Sequence, residues 1–207
     1  MTSQVLKKAL KHLSKDPKMN SLINIYSIPT FNETSDYFNA LSRSIIFQQL
    51  SGKAAETIYN RYLNLFKNRC PTPEEVIDFD VTILRSAGIS QQKTEYLKGL
   101  ARYFSKQENK IDFIQLTGTA VFNELIKLKG IGQWTIDMFL MFTLHRVDIL
   151  PVTDLGIQKG FKILFGLDYL PSNEYMVNKS NPWRPYRTIA SFYLWRVVDD
   201  IDFSKIL

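Results

Sequence analysis

Apolar residues recur at helical spacing along almost the whole chain, and this period restricts the fold more than any other feature of the sequence. Side chains three or four positions apart share one face of an α-helix, whereas a strand alternates at every second residue. Proline and glycine divide the periodic stretches, which predict an all-α protein of about ten helices. The positions that carry the period include Phe38, Leu41, Ile45, Ala55, Ile58, Tyr62, Leu65, Tyr96, Leu100, Tyr103, Ile136, Phe139, Leu140 and Thr143.

Composition excludes several classes of protein. The 207 residues include a single cysteine, Cys70, and two histidines, which leaves no internal disulfide and no ligand set for zinc or an iron–sulfur cluster. The N-terminal stretch lacks the apolar centre of a signal peptide, and no run of about 18 apolar residues predicts a membrane span. We therefore expect an intracellular protein without membrane association, cytoplasmic in a prokaryote and nuclear in a eukaryote.

The charge of the chain indicates an anionic partner without proving one. Its formal net charge is +6 and its isoelectric point is about 9.3. Nucleic acid is such a partner, although basic proteins without one are also common. The mass of 24.1 kDa suits one good-sized domain or two small lobes that share a core, and we expect a monomer.

The stretch LKGIGQW, residues 128–134, places two glycines between apolar helices. We predict one helix that ends near Leu128 and a second that begins near Gln133. Glycine allows a left-handed backbone and close approach, and the N–H groups at a helix start attract phosphate. Gly130 fits equally well as the residue after a helix C-terminus, with Gly132 easing the start of the next helix. These residues alone leave both interpretations open.

A second stretch, ILPVTDLG, ends an apolar loop with a carboxylate at a predicted helix start. Asp154 is well placed for chemistry in a poorly hydrated site. Asp154 or Thr153 is equally well placed to cap the helix that follows. Asp137, three positions after Trp134 on the predicted helix, is expected on its solvated surface.

Three blocks of the chain together resemble a known family. They are FNALSRSIIFQQLSGKAAETIYNRY, LKGIGQW with LPVTD, and NPWRPYRTIASFYLW, and they span Phe38 to Trp195. They resemble the helix-hairpin-helix (HhH-GPD) DNA glycosylases, most closely the 3-methyladenine DNA glycosylase II branch that repairs alkylated bases. The resemblance implies a single unit over residues 1–207 with an all-α, bilobal fold and a cleft between the lobes. The central lobe would comprise residues 38–150, and residues 1–37 and 151–207 would form the second.

The resemblance also implies an activity. Asp154 matches the catalytic aspartate of the family, and a carboxylate stabilises the positive charge that develops on the sugar as a base departs. Trp134 stands where strand-cleaving relatives have a lysine nucleophile, which implies a monofunctional enzyme. The base pocket would be lined by Trp134, Trp183 and Met138, because aromatic walls attract a cationic alkylated purine. Core packing is the alternative role for either tryptophan.

The DNA contacts follow from the same resemblance. The turn QQLSG matches the wedge that fills the gap left by an extruded base, with Leu50 or Ser51 as the inserted residue and Gln48 or Gln49 facing the orphaned base. Lysine replaces the usual proline of the hairpin at position 129. The residues implied in phosphate contact are Lys129, Gly130, Gly132, Thr135 and Lys53, and those whose backbone carbonyls would bind Na⁺ or K⁺ are Ile126, Leu128 and Ile131.

The implied partner is double-stranded DNA with alkylated bases such as 3-methyladenine and 7-methylguanine, and no cofactor is implied beyond the hairpin ion. Base release would leave an abasic site in an uncut strand. The alternative function is that of a damaged-DNA-binding protein that keeps the hairpin but does not excise bases.

Overall fold

The computed structural model describes residues 1–31, 36–106 and 111–200. This part of the chain is helical and contains no strand, which confirms the predicted all-α class. The α-helices are α1 Ser3–Leu13, α2 Pro17–Ile25, α3 Tyr37–Phe47, α4 Gly52–Leu65, α5 Pro73–Asp78, α6 Val81–Ser86, α7 Gln91–Ser105, α8 Gly118–Leu125, α9 Gln133–Met138, α10 Leu155–Phe165, α11 Asn173–Lys179 and α12 Arg187–Asp199. A π-helical segment, Phe139–Thr143, continues α9, and a 3-10 turn, Asn181–Trp183, precedes α12.

Twelve α-helices lie within the described residues, more than the ten or so that the sequence predicts. Helices α5 and α6 have six residues each, too short to display a helical period of apolar residues. Capping signals define them instead. The Thr72 hydroxyl accepts a hydrogen bond from the Glu75 N–H at 3.3 Å, the Glu75 carboxylate accepts one from the Thr72 N–H at 2.8 Å, and Pro73 opens α5.

The chain forms two compact units. Unit 1 comprises Met1–Glu33 and Leu140–Leu207, and unit 2 comprises Thr34–Phe139. The boundary after Phe139 differs from the predicted one near residue 150. Val147, Leu150 and Val152 are partly buried against the hydrophobic core of unit 1, which assigns the segment before α10 to that unit.

The core of unit 1 forms where α10 packs against α12, with α1 and α2 beside them. The two long helices come close because Gly160 has no side chain. A Cβ atom there would lie 2.7 Å from the Leu194 carbonyl oxygen, closer than side chains pack. Phe161, Trp183 and Tyr193 are the largest buried side chains of this core.

In unit 2, α7 packs against α3 and α5, while α3 also contacts α4 and α9. Its core is rich in aromatic rings in edge-to-face contact: Phe113 meets Tyr37 at a centroid distance of 5.4 Å and Phe139 at 5.4 Å. Helices α8 and α9, which flank the glycine stretch, also pack against each other. None of the described helices combines the length and the apolar character needed to span a membrane.

Candidate active site

The glycine stretch forms a hairpin between α8 and α9. Helix α9 begins at Gln133, as predicted, but α8 already ends at Leu125 instead of near Leu128. The chain turns through hydrogen bonds from the Leu128 N–H to the Leu125 carbonyl and from the Ile131 N–H to the Leu128 carbonyl, each 3.0 Å. Gly130 has a φ of 89°, in the left-handed region that favours glycine.

Gly130 also allows a close approach. A Cβ atom at this position would overlap the ring of Tyr96, which lies on α7. Gly132 has extended backbone with φ −116°, no neighbour within 4 Å of a Cβ atom, and starts α9 without a side-chain cap. The two glycines therefore have different roles. The turn requires Gly130, whereas Gly132 leaves the N–H groups at the start of α9 without a side-chain cap.

The residues predicted to contact phosphate divide into accessible and buried groups. Lys129, Gly132 and Lys53 are exposed. Thr135 is only 1% exposed and its hydroxyl accepts a hydrogen bond from Gln48, so its side chain faces the protein and not solvent.

Gln48, predicted as one of two residues that face an orphaned base, is held by the hairpin in this structure. Its amide Nε2 donates to the Gly130 carbonyl and to the Thr135 hydroxyl, both at 2.9 Å. The side chain therefore links the wedge turn to the hairpin within unit 2. The sequence shows no sign of this contact, because Gln48 and Gly130 lie 82 positions apart.

The wedge turn presents Leu50. This side chain is 39% exposed, whereas the Ser51 hydroxyl faces the start of α4 and accepts from the Ala54 N–H at 3.5 Å. Gln49 is exposed and has a φ of 56°, a strained conformation for a residue with a side chain. These observations favour Leu50 over Ser51 as the inserted residue.

Lys93 binds main-chain carbonyls next to the wedge turn. Its ammonium donates to the Ile46 carbonyl at 2.8 Å and to the Gln48 carbonyl at 2.7 Å, at the C-terminal end of α3. Burial lowers the pKa of Lys93. Leu50 and Lys93 also line a small pocket of about 110 Å³ together with Ile46, Ile58, Gly88, Ile89 and Ser90.

Asp154 caps α10 in unit 1. Its Oδ1 accepts hydrogen bonds from the Ile157 N–H at 2.9 Å and from the Trp195 indole N–H at 2.8 Å. The capping role considered for this residue is therefore present, and a distant aromatic side chain additionally orients the carboxylate. Gly156 makes room for that side chain, because a Cβ atom there would lie 2.8 Å from the Trp195 ring.

Trp195 lies beside Asp154 and is not among the site residues that the sequence predicts. Its ring stacks on Phe142 at a centroid distance of 5.8 Å and meets Phe192 edge-on at 5.6 Å. Phe142 is 42% exposed and lies on the π-helical segment, a feature frequent at functional sites. A partly exposed aromatic face thus lies beside the Asp154 carboxylate.

Trp183, predicted to line the base pocket, is instead a core residue. It is fully buried between Phe161 and Phe165, with centroid distances of 5.3 and 6.4 Å. Its indole N–H donates to Asp16 Oδ2 at 3.0 Å. Trp183 and Trp195 lie in one block of sequence but differ in burial and in their hydrogen-bond partners, Asp16 and Asp154.

The other predicted pocket residues lie on α9. Trp134 is partly buried, and Met138 is buried. Between them lies Asp137, which is only 5% exposed and not on the solvated surface as expected. Burial raises its pKa from 3.8 to about 6, and a hydrogen bond of 2.8 Å from Gln133 Nε2 opposes the shift.

No cluster of three or more histidine, cysteine or acidic side chains suited to a metal occurs in residues 1–31, 36–106 and 111–200. Carbonyl oxygens of the hairpin are ligands of a different kind. The Leu128 carbonyl already accepts the Ile131 N–H and retains a second lone pair for a cation. The ion predicted at Ile126, Leu128 and Ile131 stays a prediction.

Residues 42–185 match the sequence pattern described as "HhH-GPD superfamily base excision DNA repair protein". The matched range exceeds half of the 207-residue chain and contains the wedge turn, the hairpin and Asp154. The chain belongs to the HhH-GPD superfamily. Trp195 lies beyond the last matched residue.

Individual HhH-GPD proteins resemble the chain over most of its length. DNA-3-methyladenine glycosylase 1 of Schizosaccharomyces pombe is 34% identical over 191 residues, which cover 91% of this chain and 84% of the relative. The solved structure of S. pombe 3-methyladenine DNA glycosylase (Mag1) in complex with abasic DNA has a TM-score of 0.87 and 33% identity, and covers 94% of this chain and 98% of that one. A DNA-3-methyladenine glycosidase structure from Bacillus halodurans has a TM-score of 0.75 and 34% identity, and covers 91% of this chain and 88% of its own.

Proposed function

We propose that the protein is a monofunctional DNA glycosylase that flips alkylated purines out of duplex DNA and hydrolyses their N-glycosidic bond. One observation carries the proposal: within an HhH-GPD chain, the Asp154 carboxylate is held at a helix start by the Trp195 indole N–H, beside a partly exposed aromatic face. The names of its relatives support the choice of alkylated bases as substrates.

The reaction assigns a direct role to Asp154. The bond between the sugar C1′ and the purine nitrogen breaks, its electrons leave with the base, and positive charge develops on the sugar. The carboxylate stabilises this charge. Water then forms a bond to C1′ and releases its proton, which Asp154 can accept as a general base. An alkylated cationic purine needs little further activation, because the departing electrons neutralise its charge.

The absence of strand cleavage follows from Trp134. A glycosylase that cuts the strand needs an amine that attacks C1′ to form a Schiff base, and an indole has no such nucleophile. The partly buried Trp134 remains our proposal for a wall of the base pocket, with Met138 beside it on α9. The product is then an abasic site in an intact strand.

Duplex DNA is the proposed partner, bound by a monomer. Extrusion of a base costs a few kcal/mol of unstacking, and Leu50 is the proposed plug because it is the exposed apolar side chain of the wedge turn. Lys53, Lys129 and the start of α9 at Gly132 remain the proposed phosphate contacts, in agreement with the net charge of +6.

The deciding experiment follows release of 3-methyladenine and 7-methylguanine from methylated duplex DNA by the parent chain and by Asp154→Asn. Asparagine also caps helices, so α10 keeps its cap and only the charge is lost. We expect base release by the parent and a loss of at least about tenfold in the variant, about 1.4 kcal/mol in the barrier. Asp80→Asn is the matched control, because Asp80 caps α6 in the same way.

A second function has one observation in its favour. The bond from the Ile157 N–H to Asp154 would persist in a protein that only binds damaged DNA, because it caps α10 whatever the chemistry. Tight binding to abasic DNA without release of any methylated base would establish that function. Equal rates for the parent and Asp154→Asn would remove the carboxylate from catalysis.

The hairpin ion can be tested without any activity. If the carbonyls of Ile126, Leu128 and Ile131 bind Na⁺ or K⁺, replacing these ions by tetramethylammonium at constant ionic strength should lower the affinity for abasic duplex DNA. Unchanged affinity would contradict the proposed ion site.

A further inference from the structure

The segment that leads to Asp154 is bound along the first turn of α12. The Thr188 hydroxyl donates to the Arg146 carbonyl at 2.6 Å and accepts from the Ile149 N–H at 3.0 Å, while the Thr188 N–H donates to the Val147 carbonyl at 3.0 Å. One buried threonine therefore pairs with main-chain groups of three residues of the segment.

Asp148, in the middle of this segment, makes a second attachment to the same helix. Its carboxylate accepts from Arg187 Nε at 2.6 Å and Nη2 at 3.1 Å, and from Arg184 Nη1 at 2.8 Å. Arg187 also donates from Nη2 to the Asp148 carbonyl at 3.2 Å. Bidentate arginine–carboxylate pairs restrict geometry as well as adding energy.

The far end of the segment is tied to α12 again. Trp195, which lies two turns after Thr188, or about 10 Å along the helix axis, donates its indole N–H to Asp154. Between the attachments the chain is short and internally bonded, from the Val152 N–H to the Leu150 carbonyl at 2.9 Å and from the Asp154 N–H to the Pro151 carbonyl at 3.0 Å. The backbone between Ile149 and Asp154 therefore has little freedom to move independently of α12.

We propose that Thr188 is a positioning residue for the glycosylase reaction: its hydroxyl fixes segment 146–149 on α12 and thereby sets the position of the Asp154 carboxylate. The inference rests on the proposed function. Displacement of a catalytic group by about 1 Å costs on the order of 100-fold in rate. The competing account is that the packing of α10 on α12, at Gly160 and Leu194, is sufficient to place Asp154.

Three variants separate these accounts. Thr188→Val keeps the shape of the side chain and loses the hydroxyl, and Thr188→Ser restores the hydroxyl. Ser191→Ala is the matched control, because Ser191 is equally buried on α12 but donates to its own helix, to the Arg187 carbonyl at 2.8 Å. The measurements are the single-turnover release of 7-methylguanine from duplex DNA at saturating enzyme, and the affinity for abasic duplex DNA.

We expect Thr188→Val to slow base release by about tenfold or more, with the abasic-DNA affinity within about twofold of the parent value. Thr188→Ser should recover most of the rate, and Ser191→Ala should retain it. Amide exchange at Ile149 should be faster in the valine variant only, because its acceptor is removed. This last measurement does not depend on activity.

Several results would overturn the inference. One is a valine variant that releases 7-methylguanine at the parent rate. Another is an equal loss in Ser191→Ala, and a third is loss of cooperative unfolding in Thr188→Val, which would assign the hydroxyl to stability. Failure of the proposed function is distinct, because the parent chain itself would then release no methylated purine.

Discussion

The hairpin of unit 2 and the Asp154 segment of unit 1 are both irregular stretches that end at a helix start, yet they are held in different ways. The hairpin turn closes through backbone bonds between residues three apart, with Gly130 in the left-handed region. The Asp154 segment depends on side chains of α12, some forty positions later in the chain. The first conformation is largely encoded locally, and the second is imposed by tertiary contacts.

Each of these regions also carries an aspartate, in opposite surroundings. Asp137, after the hairpin, is buried with one hydrogen-bond donor, Gln133, and its pKa is raised to about 6. Asp154 is partly exposed and accepts two N–H groups on a single oxygen. The carboxylate proposed for chemistry is thus the more exposed one, with two N–H donors, whereas the buried Asp137 weakens the fold when it is ionised.

The local character of the hairpin predicts the largest effect. Gly130→Ala would force a side chain into the left-handed region and into the Tyr96 ring at once. We expect a loss of about 4 kcal/mol in the free energy of unfolding, from backbone strain and overpacking together. Urea unfolding followed by circular dichroism measures it.

Gly132→Ala is the control for this prediction. Its φ of −116° suits any residue, and nothing lies within 4 Å of the added Cβ atom. The expected change is below about 1 kcal/mol, because only the quality of the helix cap alters. Equal losses at the two glycines would show that the turn does not depend on Gly130 in particular.

Asp137→Asn should stabilise the protein at neutral pH. Burial raises the pKa of Asp137 from 3.8 to about 6, so the folded chain retains a proton that the unfolded chain has already released. The stability due to this group is therefore complete below about pH 4 and is lost as the pH rises through about 6. An asparagine carries no such penalty, and the gain at pH 7.5 should reach about 3 kcal/mol.

The measurement is the difference in unfolding free energy between the parent and Asp137→Asn at several pH values. The difference should shrink as the pH falls from 7.5 and vanish only below the unfolded-state pKa of 3.8, where the parent aspartate is protonated in both states. A variant that is less stable than the parent at pH 7.5 would contradict the proposed cost of the buried charge.

The difference between the hairpin and the Asp154 segment also explains how much of the structure the sequence alone predicts. Helical periods predict the all-α class, and the glycines and the start of α9 follow from local backbone rules. The roles of Trp183 and Trp195 do not follow, because each is decided by a partner far along the chain, Asp16 or Asp154. The burial of Asp137 does not follow from the sequence either, because an aspartate within a helix is usually solvated.

Trp195→Phe tests the long-range side of the comparison and should have a smaller effect in free energy than Gly130→Ala or Asp137→Asn. Phenylalanine keeps an aromatic ring beside Phe142 but cannot donate to Asp154 Oδ1. We expect base release to slow by about tenfold, about 1.4 kcal/mol in the barrier, with little change in stability because the position is partly exposed. Single-turnover release of 7-methylguanine gives the rate, and urea unfolding gives the stability.

Trp183→Phe should have the opposite effects, on stability and not on the rate of base release. This fully buried ring loses its bond to Asp16 and leaves a small cavity, so the free energy of unfolding should fall by about 2 kcal/mol while the folded enzyme keeps its rate. If both substitutions lowered stability and neither changed the rate, the indole of Trp195 would be no more than another core contact. Asp154 would then owe its position to the helix cap alone, and the contrast between the two regions would disappear.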